Sequence, residues 1–441
     1  MRSPRIVFAA PNSGSGKTTL VCGILRALKN RGVTVSAFKC GPDYIDPMFH
    51  ERVVGVKSGT LDLFFCDEPQ LRRLYAQNAA GADVSVIEGV MGYYDGLSAA
   101  SDEASTYRVA KALRAPTILI VDARGQSLSA LATLNGFLSF LPDSGIKGVI
   151  FNRMHERVFT AIAPKVRDFG VEPIGYLEKA DDLAIESRHL GLVTPDEIRD
   201  LEARLDRLAN RLEQTLDFDA LLRIASDAPE LFAPEAPPVP DLPKTTIAVA
   251  RDAAFCFLYR DNLALLERYG ATLRFFSPIS DTALPEDTQG LLLPGGYPEL
   301  YARQLSENTA MRSAVRTAIE NGMPCLAECG GFLYLHDTLS DMDGNPYPMC
   351  GVLNRRRFTR ERCHASATSR SRRAKIPRFS ARAKRSKRTS FTILRARTPA
   401  RRFARKSRTA EAGRACTHGK TCLRGLRICF TNQTRSRSSG F

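Results

Sequence analysis

The sequence predicts an α/β protein: a parallel sheet carrying a phosphate loop, followed by a second, smaller αβ domain. Three observations carry this expectation. Short apolar runs alternate with amphipathic stretches over residues 1–225. A glycine-rich loop follows the first run and opens a helical pattern. A segment rich in Pro and acid, 226–244, then separates a further set of alternating runs.

In order, RIVFAA (5–10), TVSAF (34–38), DVSVIE (83–88), PTILIVD (116–122) and IKGVIF (146–151) read as strands. Each is almost wholly apolar, as strands are in a sheet covered on both faces. TTLVCGILRALKNRG between the first two reads as an amphipathic helix ending at Gly32. Residues 195–224 carry Leu at helical spacing with charges between, which predicts one long surface helix rather than a partner-binding coil. After 226–244, TTIAVA (245–250) is a strand, DNLALLERYG (261–270) a helix, and ATLRFF and GLLLPGG strands. NTAMRSAVRTAIENG is a helix, and PCLAECGG a strand running into a sharp turn. The expected domains are therefore 1–225, a linker at 226–244, and 245–354.

The 441 residues are 44% hydrophobic and 25% charged, a globular composition that excludes a wholly disordered or fibrous chain. The net charge of +16 is misleading. Residues 355–441 hold 28 of the 63 Lys and Arg and only Glu361 and Glu411 as acids, a net of +26, while the preceding 354 residues carry −10. This tail is Arg, Ser, Thr and Ala in irregular order, with too little aliphatic content to offset chain entropy. It reads as disordered or out of frame. No run of about 18 apolar residues is present, so no membrane span is expected. The apolar start ends in the phosphate-loop pattern, so it reads as a strand rather than a secretory signal. Eleven cysteines, an odd number with no C-x-x-C pair, fit reduced thiols and a cytoplasmic location.

Ser13-Gly14-Ser15-Gly16-Lys17-Thr18-Thr19 stands between the first strand and the first helix. Its glycines let backbone N–H groups turn toward phosphates, Lys17 adds charge and Thr18 suits Mg²⁺. The strict pattern fails at its first position, where Pro11 stands. Two further loops, Lys39-Cys40-Gly41-Pro42-Asp43-Tyr44-Ile45-Asp46-Pro47 and Glu88-Gly89-Val90-Met91-Gly92-Tyr93-Tyr94-Asp95-Gly96, follow the second and third predicted strands. In an open parallel sheet all three loops lie at the carboxyl ends of their strands. Acids there are natural oxygen ligands for a hard cation beside phosphates. Any one Asp in such a loop also serves as a turn former, and Met91 and the Tyr pair also suit packing.

Together, KCGPDYIDPMFH (39–50), VIEGVMGYYDG (86–96), VDARG (121–125), FNRM (151–154) and RHLGLV (188–193) resemble the cobyrinate a,c-diamide synthase family, glutamine-dependent amidoligases of corrinoid biosynthesis. The resemblance runs from residue 5 to about 353. It implies ATP- and Mg²⁺-dependent activation of two corrin carboxylates, a and c, as acyl phosphates, which ammonia from glutamine then displaces. It also implies roles: Ser13 to Thr19 for the triphosphate; Thr18, Asp43 and Glu88 for Mg²⁺; Asp43, Tyr44, Asp46 and Asp95 toward the corrin; Asn152 for the nucleotide base. A homodimer is the assembly it suggests.

In the second domain, Ala327-Glu328-Cys329-Gly330-Gly331 places a thiol on a strand-to-helix turn, where helix N–H groups favour thiolate. Leu293-Pro294-Gly295-Gly296 ends another strand, and backbone N–H groups at Gly295 and Gly296 suit an oxyanion hole. The pair resembles class I glutamine amidotransferases, with Cys329 as nucleophile and Pro294 where a third Gly is usual. No histidine base is assigned: His364 and His418 of the tail lie in segments unlike the family's His-bearing strand. The charge changes sign within this domain rather than at a linker, as a shifted reading frame from about residue 354 would produce. The glutaminase half is then expected to be weak or silent, with the first domain using free ammonia.

Two alternatives stay open. One is a related macrocycle, hydrogenobyrinate or a nickel sirohydrochlorin. The other is a phosphate-loop ATPase with a basic nucleic-acid arm, although no nucleic-acid motif is present and specific nucleic-acid binding is not expected.

Overall fold

The structure is a computed structural model. It describes residues 3–353 except 56–57, 181–186, 189–190, 193, 196–197, 199 and 241, together with the strand Thr392–Leu394. Part of RHLGLV and, that strand apart, the basic tail with His364 and His418 lie outside the described residues. The chain divides into two compact units, Met1–Pro237 and Pro238–Phe441.

The first unit opens with β1 (Arg5–Ala9), α1 (Lys17–Asn30), β2 (Val35–Cys40), α2 (Ile45–Val54), β3 (Ser58–Leu61), α3 (Glu68–Asn78) and β4 (Val84–Glu88). It continues through α4 (Thr106–Leu113), β5 (Thr117–Asp122), α5 (Ser129–Ser139), β6 (Ile146–Asn152), α6 (Glu156–Arg167) and β7 (Glu172–Leu177). A short pair, β8 (Ser187–Arg188) and β9 (Gly191–Leu192), precedes α7 (Leu201–Thr215) and α8 (Phe218–Ser226). The main sheet has the order β3-β2-β4-β1-β5-β6-β7, with every pair parallel. β1, β2 and β4 are buried along their whole length, as strands covered on both faces must be. β1 lies between β4 and β5, so the loops after β1, β2, β4, β5 and β6 gather at one edge of the sheet.

Residues 195–224 do not form the single helix their periodicity predicts. Leu216 is extended, its neighbour Asp217 donates its backbone N–H to Ile174 O, and the Asp217 carboxylate caps α8 through Ala220 N at 2.8 Å. An Asp side chain that can satisfy an orphan helix N–H competes with helix continuation, and here it wins. α7 buries Leu201, Leu205, Leu208 and Leu212 against α1, where Gly23 leaves room for Leu208 and Leu212. Arg26 holds Glu202 and Asp206, and Arg31 holds Glu213.

The front half of the Pro-rich segment packs on this unit. Leu231 is buried, and the buried Arg5 guanidinium donates to Leu113 O at 2.7 Å, Ser3 O at 2.8 Å and Pro229 O at 2.5 Å.

The second unit contains β10 (Thr245–Ala250), α9 (Arg260–Arg268), β11 (Ala271–Phe276), β12 (Gly290–Leu293), α10 (Ala302–Glu307), α11 (Thr309–Glu320), β13 (Cys325–Ala327) and α12 (Gly330–Tyr334). A hairpin of β14 (Thr338–Ser340) and β15 (Pro346–Pro348) follows, and β16 is Thr392–Leu394. The sheet order is β11-β10-β12-β13-β16; the first four strands are parallel and β16 is antiparallel to β13.

Candidate active site

The loop after β1 turns through two left-handed glycines, Gly14 at φ 78° and Gly16 at φ 83°. Gly16 caps α1, so the chain enters the helix from a conformation open to glycine at little cost. Ser15 Oγ donates to Asn12 O at 3.0 Å and Asn12 Oδ1 at 2.7 Å. From the other side, Asn152 at the end of β6 donates Nδ2 to Ser15 O at 2.8 Å. Arg153 donates to Asp122 Oδ2 at 2.7 Å and to Gly14 O at 3.4 Å.

The loop after β4 closes over the same place. Tyr93 N donates to Ala10 O, and Lys17 Nζ donates to Asn12 O at 3.2 Å and Met91 O at 2.7 Å. Met91 sits at φ 49°, a strained position for a non-glycine residue, with its carbonyl turned to that ammonium. Burial, with the nearby Lys39 charge, brings the Lys17 amine down to about 8. Among the described residues this ammonium meets carbonyl oxygens rather than a carboxylate, which suits it to an incoming anion.

Behind Lys17 lies a buried cluster of charges. Glu88, the last residue of β4, is wholly buried. Its Oε1 accepts from Thr18 Oγ1 at 2.6 Å and Lys39 Nζ at 2.9 Å, and its Oε2 pairs with His50 Nε2 at 2.7 Å. Lys39 Nζ also meets Asp46 Oδ2 at 2.5 Å and Gly89 O at 3.1 Å. Thr18 Oγ1 lies 3.3 Å from Asp46 Oδ2. Burial alone would raise the Glu88 carboxyl, but the Lys39 charge and the His50 hydrogen bond hold it well below the usual range. Burial pushes Asp46 up, against the pull of Lys39.

The structure distributes the expected acids unevenly. Asp46, expected toward the substrate, stands beside Thr18 and Lys39. Asp43, expected with Thr18 and Glu88, uses Oδ1 to accept from Ile45 N at 2.8 Å and Asp46 N at 3.1 Å at the start of α2. Asp95 is exposed and accepts from Gly92 N at 2.9 Å. Tyr44 is half-buried at the head of α2. The Tyr pair is packing: Tyr93 is buried with its hydroxyl on Ser144 O, and Tyr94 donates to Phe137 O. Lys39 and His50 received no role from sequence reasoning. The spacing of Asp46 and His50, four residues apart on one helix, was the available signal.

Among the described residues no three His, Cys, Asp or Glu side chains form a closed metal site. The donor set around Thr18 is oxygen-rich and incomplete. That suits a Mg²⁺ held by one or two side chains with phosphates and water supplying the rest. Beside it, Pro11, Asn12, Asp122, Arg124, Gln126 and Thr133 line a cavity of about 330 Å³. Among the described residues, no helix is long and apolar enough to cross a membrane.

In the second unit Cys329 is exposed at φ 42° between β13 and α12. Gly331 N donates to Pro294 O at 2.9 Å, and a side chain at Gly331 would strike Leu293 O. A Cβ at Gly295 would stand 3.3 Å from Cys329 Cβ, and one at Gly330 would stand 3.2 Å from Gly296 N. The expected elbow and the Gly-Gly turn are thus adjacent. α12 has only five residues, so its dipole adds little. Burial raises the Glu328 carboxyl to about 7.

Residues 6–193 match the CobQ/CobB/MinD/ParA nucleotide binding domain, and residues 246–388 the CobB/CobQ-like glutamine amidotransferase domain. A Listeria innocua protein named cobyrinate a,c-diamide synthase is 43% identical over 354 residues, 79% of this chain and 78% of that one. A Gloeobacter violaceus protein of the same name is 44% identical over 349 residues, 79% and 77% of the two chains. One from Caldanaerobacter subterraneus is 41% identical over 348 residues, 78% and 76%. With relatives of that name 41–44% identical over more than three quarters of both chains, the chain belongs to the cobyrinate a,c-diamide synthase family.

Proposed function

We propose that this chain amidates the a and c carboxylates of a cobyrinate-type corrinoid, using ATP with Mg²⁺ and taking nitrogen from glutamine or ammonia. The observation that carries the reading is the convergence of Lys17, Thr18, Asp46 and Glu88 on one side of the phosphate loop. A carboxylate is a poor electrophile. Transfer of a γ-phosphoryl group to one of its oxygens, with ADP leaving, creates an acyl phosphate. Ammonia then forms the C–N bond as the C–O bond breaks, and phosphate departs with the former carboxylate oxygen.

Backbone N–H groups of residues 13–19 cradle the phosphates, and Lys17 neutralises the charge that builds during transfer. Bound Mg²⁺ supplies Lewis acidity to the phosphoryl oxygens. Thr18 and Glu88 hold it, and the geometry favours moving Asp46 to that side, with Asp43 on the adjoining turn. Tyr44 and Asp95, at the mouth of the same loops, face the corrinoid. Asn152 contacts the nucleotide base while its Nδ2 braces the loop.

In the second unit the Cys329 thiol adds to the glutamine side-chain carbonyl, with N–H groups at Gly295 and Gly296 stabilising the oxyanion; the C–N bond breaks, ammonia leaves with the thiol proton, and water hydrolyses the thioester to glutamate. We place the protein in the cytoplasm as a homodimer, a state that sedentation-free mass photometry or light scattering checks. We also propose that residues 355–441 translate a shifted frame, supported by the change from −10 over residues 1–354 to +26 over 355–441, a break that falls inside the second domain rather than at a linker. An adjacent frame lacking a His-bearing αβ continuation in the coding DNA would refute this.

The deciding experiment offers ammonia, MgATP and a panel of tetrapyrrole acids, and follows amide formation by mass spectrometry. Cobyrinate should be diamidated with stoichiometric ADP. Preference for hydrogenobyrinate or nickel sirohydrochlorin would shift the substrate, and ATP hydrolysis stimulated by DNA but not by corrinoid would refute the reading.

A further inference from the structure

Glu88 divides its two oxygens between two tasks. Oε1 takes Thr18 Oγ1 and Lys39 Nζ on the phosphate-loop side. Oε2 takes His50 Nε2 at 2.7 Å on the opposite side. His50 is wholly buried on α2. Its other nitrogen, Nδ1, lies 3.3 Å from Ser58 Oγ at the start of β3. A carboxylate only accepts, so Nε2 carries a proton toward Glu88, while Nδ1 meets the Ser58 hydroxyl, which can donate or accept. Ser58, His50 and Glu88 therefore form one hydrogen-bonded chain.

We propose that His50 is a positioning residue for the metal–nucleotide site: it pins Glu88 Oε2 so that Oε1 alone is presented to the cation beside Thr18. The inference rests on the reading that Glu88 faces the Mg²⁺ of bound nucleotide. The terminal torsion of a Glu side chain is soft, so nothing intrinsic fixes the carboxylate plane. Lys39 lies within reach and is already shared with Asp46. Without the His50 hydrogen bond, the carboxylate is free to turn both oxygens toward Lys39 and Thr18, closing the ion pair on itself. Partners that orient a ligating carboxylate typically change metal affinity by about 10- to 100-fold when removed.

The test uses the full chain, with Mn²⁺ as the spectroscopic probe and ATP as the nucleotide. Wild-type protein should bind Mn²⁺ in an ATP-dependent manner, seen as loss of the free-ion electron paramagnetic signal. Absence of that binding refutes the metal site itself, and this inference with it. Given that binding, His50→Leu should weaken Mn²⁺ by about tenfold or more, while ATP affinity in EDTA stays at the wild-type value. His50→Gln, whose amide nitrogen stands near the place of Nε2, should recover most of the loss. Ser58→Ala keeps the ring but removes its anchor, and should give a milder weakening even if the Leu variant does not fold. Wild-type Mn²⁺ affinity in both Ser58→Ala and whichever His50 variants fold overturns the proposal.

Discussion

Glu88→Gln is the perturbation that most sharply separates the two contributions of the buried cluster. The carboxylate accepts three hydrogen bonds, from Thr18, His50 and Lys39, at 2.6, 2.7 and 2.9 Å. A Gln offers one acceptor oxygen and an NH₂ group, so either Lys39 and Thr18 meet a donor in place of Oε1 or His50 must switch tautomer. It also removes one of the two negative charges that balance the buried Lys39. Breaking a buried ion pair from one side costs roughly 3–5 kcal/mol, and the surviving Asp46 puts this case near the lower end, about 3 kcal/mol. At roughly 2–4 °C per kcal/mol for a unit of this size, the first unit should melt about 6–12 °C lower. Loss of the negative charge proposed to face the metal should separately lower ammonia-dependent amidation by about 100-fold, the rate equivalent of nearly 3 kcal/mol. Calorimetry of the full chain and an ADP-release assay measure the two. A variant that melts within about 1 °C of wild type and keeps its amidation rate would refute the reasoning.

Three further outcomes follow from the packing and the second site. A Cβ at Gly23 would meet Leu212 Cδ1 at 2.6 Å and Leu208 Cγ at 2.7 Å. Overpacking of about 1–3 kcal/mol then outweighs a helix-propensity gain of about 1 kcal/mol, so Gly23→Ala should lose roughly 1 kcal/mol in thermal unfolding. Cys329→Ala should remove whatever amidation glutamine supports and leave the ammonia-dependent rate at the wild-type value, read by paired assays with the two nitrogen sources. Burial lifts Glu328 from 4.5 to about 7, so the folded state binds more protons than the unfolded state between those values. Wild-type stability should therefore fall as pH rises from 4.5 to 7, by up to about 3 kcal/mol, and Glu328→Gln should lack that slope in melts across the range.

Much of the fold was legible because buried parallel strands announce themselves as apolar runs. TTIAVA and ATLRFF coincide with β10 and β11, and DVSVIE contains β4. β3 and β7 were not legible. Ser58–Leu61 is four residues long with Gly59 pressed on Phe38, and Glu172–Leu177 contains Pro173 and Gly175. Both are edge strands, where Pro and Gly are tolerated and the apolar signal is diluted. At the site, the phosphate loop was legible from its glycines and its strand-helix context. The neighbours of Asp43 and Asp46 were not, because they depend on the residue at which α2 begins: the earlier Asp accepts two N–H groups at the helix start and the later one lies beside Thr18. Lys39 and His50 escaped for a similar reason. A lysine at a strand end and a histidine on a helix gain meaning only once β2, β4 and α2 are adjacent.

The most direct test of the central claim, that the phosphate loop and the buried acids activate a carboxylate, is oxygen transfer. Cobyrinate labelled with ¹⁸O in its carboxylates is supplied with ammonia and MgATP, and the released inorganic phosphate is analysed by mass spectrometry. One labelled oxygen should reach phosphate for each amide formed, because the acyl phosphate breaks at its carbonyl carbon. Amide formed alongside unlabelled phosphate would contradict the account.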